Sequence, residues 1–576
     1  MKNRSKGSLL GALLLAATCG AVSSCNLLVV ASGDACETDE DCINLPNTAC
    51  DTEQGSCVSL DKCQSNSECG GAEICRPFSP RTCVPLFQGN CTSVYPDDNT
   101  WKNDNAMLIG ITAPLLPGSP DEATGVSIVN GAKLAADQFN NNNGIEGKRP
   151  IVLLMCDDQG DRGPAEENGR TLAAIGVQSI IGPAFSGQTI DTADGTPDPE
   201  TQADRPGTVD NNTLIISTSA TSPLVTGIND RNPKCLESCG NDTTCQEKEC
   251  PGLVWRTSPS DEIQGKALSA YFASMETKIK TRGGVVAPGR PSLKVFVLYK
   301  DDPYGDLLSE VIRTTLQFNG QAATLQQNVS FFRQVYKDAD PVAEGNQPDP
   351  AAIQTALDEK PDAIFLIGTG EVGGILEDIE SRWITEGNTE EDRPFYFLAD
   401  GGLSSQTSMA ATGALERVRG TVPGTQSANF NAFIGDYNST FTSSSSGAGP
   451  TVFGAAGAYD AVYLLAYSSV AAQGKPLTAP QLARGFSSLV LGEPVNVGSS
   501  GIGAAYSALQ QGGTIDFVGA SGDLNFALDS GEAPSEIQVW CVSAPTEAGE
   551  FSGLYYDGSK IVGTPDPGDV GWSCPF

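Results

Sequence analysis

Histidine is absent from this chain. Without an imidazole there is no Ser-His-Asp or Cys-His nucleophilic pair, no His-ligated zinc, and no use of the commonest general base. Most familiar hydrolase chemistry is thereby excluded. Basic residues are scarce as well: 35 Lys and Arg stand against 70 Asp and Glu, a formal charge of −35. Phosphate backbones and anionic lipid surfaces repel such a protein, which argues against nucleic-acid binding and a polybasic membrane patch. No P-loop sequence occurs. Beyond the N-terminal run, no segment is long and apolar enough to span a bilayer. What is present is 576 residues, three to four domain lengths, rich in Gly and Pro yet 39% hydrophobic, a loop-rich globular composition.

Lys2, Arg4 and Lys6 precede an apolar run from Leu9 to Val22, the pattern of a secretory signal. Val22-Ser23-Ser24 before Cys25 resembles the bacterial lipobox. That resemblance implies removal of 1–24, acylation of Cys25 and a short linker over 25–35, with the chain anchored by lipid at the cell envelope. An ordinary cleaved signal with an incidental cysteine is the alternative. Setting aside Cys19 and Cys25 leaves an even 16 of the 18 cysteines, which in an exported chain argues for disulfides. Eight of them, Cys36, Cys42, Cys50, Cys57, Cys63, Cys69, Cys75 and Cys83, form two similar acidic blocks without a CxxC pair, read as a disulfide-knit stalk module over 36–91 rather than a zinc site. Cys235, Cys239, Cys245 and Cys250 suggest two local bridges in a loop insertion. Cys541 and Cys574 can tie down the tail, and Cys91 and Cys156 are left to pair by arithmetic. CETDEDC (36–42) is acidic but lacks the alternating ligands and central Gly of a calcium loop.

From about 105 the texture alternates between apolar strands and amphipathic helices. Strands are expected at 107–112, 151–155, 177–182 and 213–217, with helices over 125–139 and 164–176. The pattern restarts with strands at 294–299, 363–367 and 394–398 and a helix over 304–318. Continuously apolar strands between helices imply parallel sheets covered on both faces. Two such runs predict an α/β fold of two doubly wound lobes, with ligand in the cleft beyond the carboxyl ends of the strands.

IIGPAFSGQT (180–189), LIISTSATSP (214–223), VWRTSPSDEIQGKAL (254–268), YKDDPYGDLL (299–308), AAGAYDAVYLLAYS (455–468) and IDFVGASGDLNF (515–526) together resemble the type I periplasmic binding proteins, in particular the branched-chain amino acid and amide group. The resemblance covers about 105–576 and implies three crossings between lobes, near 258–262, 421–427 and 521–536. Lobe one would then comprise 105–258 and 427–521, and lobe two 259–423 and 530–576. It also implies site residues. Ser186 would hold a ligand carboxylate beside a helix N-terminus, although a serine there can equally cap its helix. Thr221 would contact the ligand through its side chain and Ser219 through its backbone. Tyr304 would close over the ligand, and Asp400 would receive its ammonium group, unless a one-residue shift puts Gly401 there. GTGEVG (368–373) matches a dinucleotide fingerprint, but it falls late in the chain and the acid ending the next strand is too far along. Thr369 and Glu371 in that loop are candidate specificity residues. Asp157-Asp158 reads as structural or cleft-rim.

These readings combine into a lipid-anchored, extracytoplasmic solute-binding protein, not an enzyme. It would take a small polar solute, an amino acid or amide-like molecule, without cofactor or metal, and deliver it to an ABC permease. A ligand-sensing surface receptor of the same fold is the alternative.

Overall fold

The computed structural model describes residues 42, 48–51, 56–78, 80–197, 201–281, 292–337, 349–424, 427–441, 447–542 and 549–563. Cys19, Cys25, Cys36 and Cys574 lie outside the described residues, and with them the lipidation site and the expected tail bridge. The chain divides into two units, one of Met1–Lys62 with Ser79–Arg81 and one of Cys63–Phe78 with Thr82–Phe576. In the first, strands Thr48–Asp51 and Ser56–Ser59 pair antiparallel and Cys42 is bonded to Cys57.

The larger unit holds two main sheets. The first contains β1 (Cys91–Tyr95), β2 (Met107–Ala113), β3 (Ile151–Asp157), β4 (Ser179–Ile181), β5 (Leu214–Ser217) and β6 (Val254–Arg256). Their spatial order is β6-β5-β4-β2-β3-β1, parallel throughout except for β1. Strands β2 to β6 carry almost no exposed side chain, as a parallel sheet covered on both faces requires. Helices α1 (Glu122–Asn140), α2 (Arg162–Ile175) and α3 (Ser186–Asp194) follow β2, β3 and β4. Gly182, between β4 and α3, has φ 98° and abuts the Thr112 carbonyl, so a side chain there would meet both backbone strain and an overlap.

The second sheet contains β7 (Val295–Lys300), β8 (Phe331–Tyr336), β9 (Ala363–Ile367), β10 (Phe395–Leu398), β11 (Val418–Pro423), β12 (Ile537–Cys541), β13 (Glu550–Tyr556) and β14 (Ile561–Val562), in the order β8-β7-β9-β10-β11-β12-β13-β14. It is parallel as far as β11 and antiparallel beyond. Helices α4 (Asp261–Thr281), α5 (Pro303–Thr315) and α6 (Val372–Arg382) cover it, and apolar clusters lie on both of its faces. After β11 the chain returns to the first sheet through α7 (Ala428–Thr440) and the almost wholly buried α8 (Ala455–Ala471), which packs along α1. It crosses again before β12. Arg256, 1% exposed, ties this hinge together: its guanidinium donates to the Ala220 and Ser222 carbonyls and pairs with Glu532, the residue bridged to it in parallel ahead of β12.

Most of the described cysteines pair within short stretches of chain. Cys63–Cys75 and Cys69–Cys83 knit the second block, so the cluster of Cys63, Cys69 and Cys83 is committed to disulfides rather than to a metal. Cys235–Cys250 and Cys239–Cys245 staple two short helices, Pro233–Cys239 and Thr243–Glu249, within the loop insertion. Cys91–Cys156 joins β1 to β3, and Cys50 and Cys541 are also disulfide-bonded.

The 36–91 stalk differs from expectation in two ways. The boundary between units falls inside it, and Cys91 begins a strand of the first sheet. Its second block carries enough apolar surface to dock: Ile74 and Leu86 are buried in one cluster with Val152, Leu154, Leu172, Ile175 and Ile180. Those few aliphatic side chains outweigh an otherwise polar composition, because each is fully covered by the outer face of the first sheet.

Candidate functional site

The cleft between the sheets is built from strand ends. Ser186 follows β4, Ser219 follows β5, Tyr304 follows β7, Thr369 follows β9 and Asp400 follows β10, and all five line one hollow. This is where a doubly wound sheet delivers its loops and helix N-termini.

On the first-sheet side, Ser186 opens α3, and the preceding residue, Phe185, provides no side-chain cap. The first-turn amides therefore retain donors for a ligand. Ser186 Oγ accepts the Ser222 N–H at 3.1 Å, which leaves its own proton to donate. Ser219 Oγ is spent on the Ala184 carbonyl at 2.9 Å, so this residue can offer a ligand its backbone.

On the second-sheet side, Tyr304 Oη donates to Asp400 Oδ1 at 2.7 Å. Burial pushes the Asp400 carboxyl up to about 6, with the Tyr304 hydroxyl opposing the rise. Burial, aided by Asp400 and Asp261, also drives the Tyr304 phenol well above its ordinary range, so it stays a neutral donor. Asp302 joins Asp400 on the wall, and among the described lining residues there is no Lys or Arg, so the hollow attracts cations on this side. Leu403, Val452, Phe453, Phe185 and Ala123 supply an apolar remainder.

Two expected residues do not reach the wall. Thr221 is 1% exposed and lies behind it, neighbouring Asp261. Glu371 is locked in a network: it accepts Tyr336 Oη at 2.6 Å, the Thr369 N–H at 3.0 Å and Thr369 Oγ1 at 2.8 Å, and lies 3.5 Å from Lys300 Nζ. Burial opposes its ionisation, but Lys300 and these donors hold the carboxyl below its usual range. Glu371 thus braces the loop that presents Thr369 and is not among the residues lining the hollow. Asp158 is likewise structural, buried and bonded to the Gly160 N–H, and burial lifts it to about 8.

The structure adds residues the sequence reading passed over. Asp261, at the start of α4, is fully buried, and neither carboxylate oxygen has a hydrogen-bond partner among the described residues. Burial and the nearby Asp400 raise it well above its ordinary value, while Thr221 and Arg256 pull the other way. Its signal was the PSDEIQG stretch, quoted only for its resemblance. Asp121 precedes α1 at the N-cap position yet makes no cap bond. Its Oδ1 instead accepts the Gly370 N–H of the opposite lobe at 2.9 Å. A side chain at Gly370 would overlap the Pro120 carbonyl, so this approach requires glycine. Ser222 Oγ makes a second crossing, donating to the Pro303 carbonyl at 2.8 Å. The lobes are therefore in contact around the hollow.

Comparison with known proteins follows the same lines. The family model described as periplasmic binding protein matches residues 109–491. A Leu/Ile/Val-binding protein of Rhizobium johnstonii is 30% identical over 136 residues, 24% of this chain, and the match spans 32% of that relative's length. Among solved structures, the branched-chain amino acid transporter substrate-binding protein LivJ of Streptococcus pneumoniae, in complex with isoleucine, is 19% identical with a TM-score of 0.52, covering 80% of this chain and 100% of that one. The leucine-binding protein LivK of Thermotoga maritima is 18% identical with a TM-score of 0.50, covering 80% and 99%. No helix among the described residues is long and apolar enough to cross a membrane. A two-sheet architecture with three crossings and a cleft at the strand ends, matched over residues 109–491, places this chain in the periplasmic binding protein family.

Proposed function

We propose that this protein is a lipid-anchored extracytoplasmic solute-binding protein that encloses an α-amino acid with an apolar side chain and delivers it to an ABC permease. One observation carries the reading: a single hollow sets the uncapped start of α3 with Ser186 on one lobe against the buried Asp400 carboxylate on the other. A ligand carboxylate takes the first and a ligand ammonium the second, with its side chain against Phe185, Leu403 and Phe453. The ligands for which these relatives are named or with which they were solved, leucine, isoleucine and valine, fit this description. Binding stabilises closure because each end of the ligand bonds to a different lobe.

A thermal-shift panel of isoleucine, leucine, valine, glutamate, arginine, urea and benzoate tests it. Saturation by a branched-chain amino acid gives a rise of about 2.7 kcal/mol at 100 times the dissociation constant. A shift with benzoate or urea and none with amino acids refutes the assignment. A receptor of the same fold without a permease is the second reading, favoured by the disulfide-rich N-terminal region, which capture and delivery do not need. Co-purification of a permease with the anchored chain separates the two.

A further inference from the structure

A second hollow lies at the hinge. Each of the three crossings contributes to it, through Thr257, Val422 and Ala520 respectively. Val452 and Phe453 line both this hollow and the cleft, so they form the wall between the two. Among the described residues no charged one lines it and three aromatic rings do: Phe430, Phe453 and Phe551, the first and last set edge-to-face at 5.8 Å. Two of its lining hydroxyls, Thr218 Oγ1 and Thr257 Oγ1, have no hydrogen-bond partner among the described residues, although these residues are 1% and 4% exposed. Buried hydroxyls are ordinarily paired, and an unpaired one at a cavity wall is a polar handle awaiting a partner.

We propose that the hinge hollow is a second ligand site, for a small neutral aromatic alcohol, and that its occupancy alters the cleft's affinity. The ring matches the aromatic lining, the absence of charged walls excludes ions, and the hydroxyl answers Thr218 and Thr257. All three crossings must rearrange when the lobes move, so a molecule wedged among them fits one hinge geometry better than the other. Such differential binding shifts the open–closed equilibrium, and the coupling is reciprocal between the two sites.

Benzyl alcohol at millimolar concentration, added to the full chain, is the test. Saturation-transfer NMR and thermal shift report its binding without any cleft ligand, so failure of the amino-acid assignment leaves this experiment decisive. The expected result is saturable binding, weaker with toluene, that is lost in Ala456→Leu, which fills the hollow from the first turn of α8, and weakened in Thr257→Val. Titration of isoleucine with benzyl alcohol present is expected to move its dissociation constant about fivefold. No saturable binding to the parent, or undiminished binding in both variants, overturns the site. If Ala456→Leu does not fold, the Thr257→Val result alone decides. Binding that leaves the isoleucine constant unchanged overturns the coupling.

Discussion

The Asp400 carboxyl links ligand affinity to pH. Burial lifts it to about 6, so near neutrality it is ionised and below pH 6 it carries a proton. Its folded value lies above its unfolded value, so the stability it confers is fully present below about pH 4 and is lost as pH rises through about 6. The loss amounts to about 3 kcal/mol, counting 1.36 kcal/mol for each unit between 3.8 and 6. Above pH 6 a ligand ammonium seated on the carboxylate offsets that loss, and below pH 6 it must displace the proton to bind. One unit below its pKa about a tenth of the protein is ionised at this site, so isoleucine is expected to bind about tenfold more weakly at pH 5 than at pH 7.5. Titration calorimetry at pH 6 in buffers of differing ionisation enthalpy is expected to show about half a proton released per isoleucine bound. Because Asp261 is a near neighbour, that release belongs to the pair rather than to Asp400 alone. Asp400→Asn is expected to flatten the profile and cost about 2–5 kcal/mol of affinity. A dissociation constant unchanged from pH 5 to 7.5, or tight binding by Asp400→Asn, refutes the reasoning.

Three other substitutions probe separate parts of the structure. Asp121→Ala removes the bond to the Gly370 N–H while also relieving a buried carboxyl that burial raises, so closure is expected to weaken by about 1–2 kcal/mol; small-angle scattering of the isoleucine-saturated variant should show a larger radius, and an unchanged one with unchanged affinity contradicts the latch. Ser186→Ala takes one donor from the carboxylate end and should weaken isoleucine binding by about 1–3 kcal/mol in calorimetry, with retained affinity contradicting its role. Cys91→Ala with Cys156→Ala opens a bridge of sequence separation 65 and is expected to cost about 4 kcal/mol in denaturant unfolding, against which an unshifted midpoint would count.

The parallel strands were legible because they are buried on both faces and therefore continuously apolar; MLIGIT and IVLLM announce β2 and β3 by composition alone. Residues at strand ends were legible through the family's motifs, which is why Ser186, Ser219, Tyr304, Thr369 and Asp400 meet in one hollow. A glutamate two residues past a cleft-facing threonine looks in sequence like a cleft residue, yet Glu371 lies off the wall. Only the fold reveals that Lys300 and Tyr336 claim it from neighbouring strands. The latch between Asp121 and Gly370 joins residues 249 positions apart and leaves no local pattern. The docking of Ile74 and Leu86 was hidden for a similar reason. Two aliphatic side chains in a cysteine-rich block look too few to matter until a sheet face covers them.

The most direct test is a crystal structure of the full chain grown with isoleucine. The expected result places the ligand carboxylate within hydrogen-bond distance of Ser186 Oγ and the start of α3, and its ammonium on Asp400. Isoleucine in the reverse orientation, or bound away from that hollow, would contradict it.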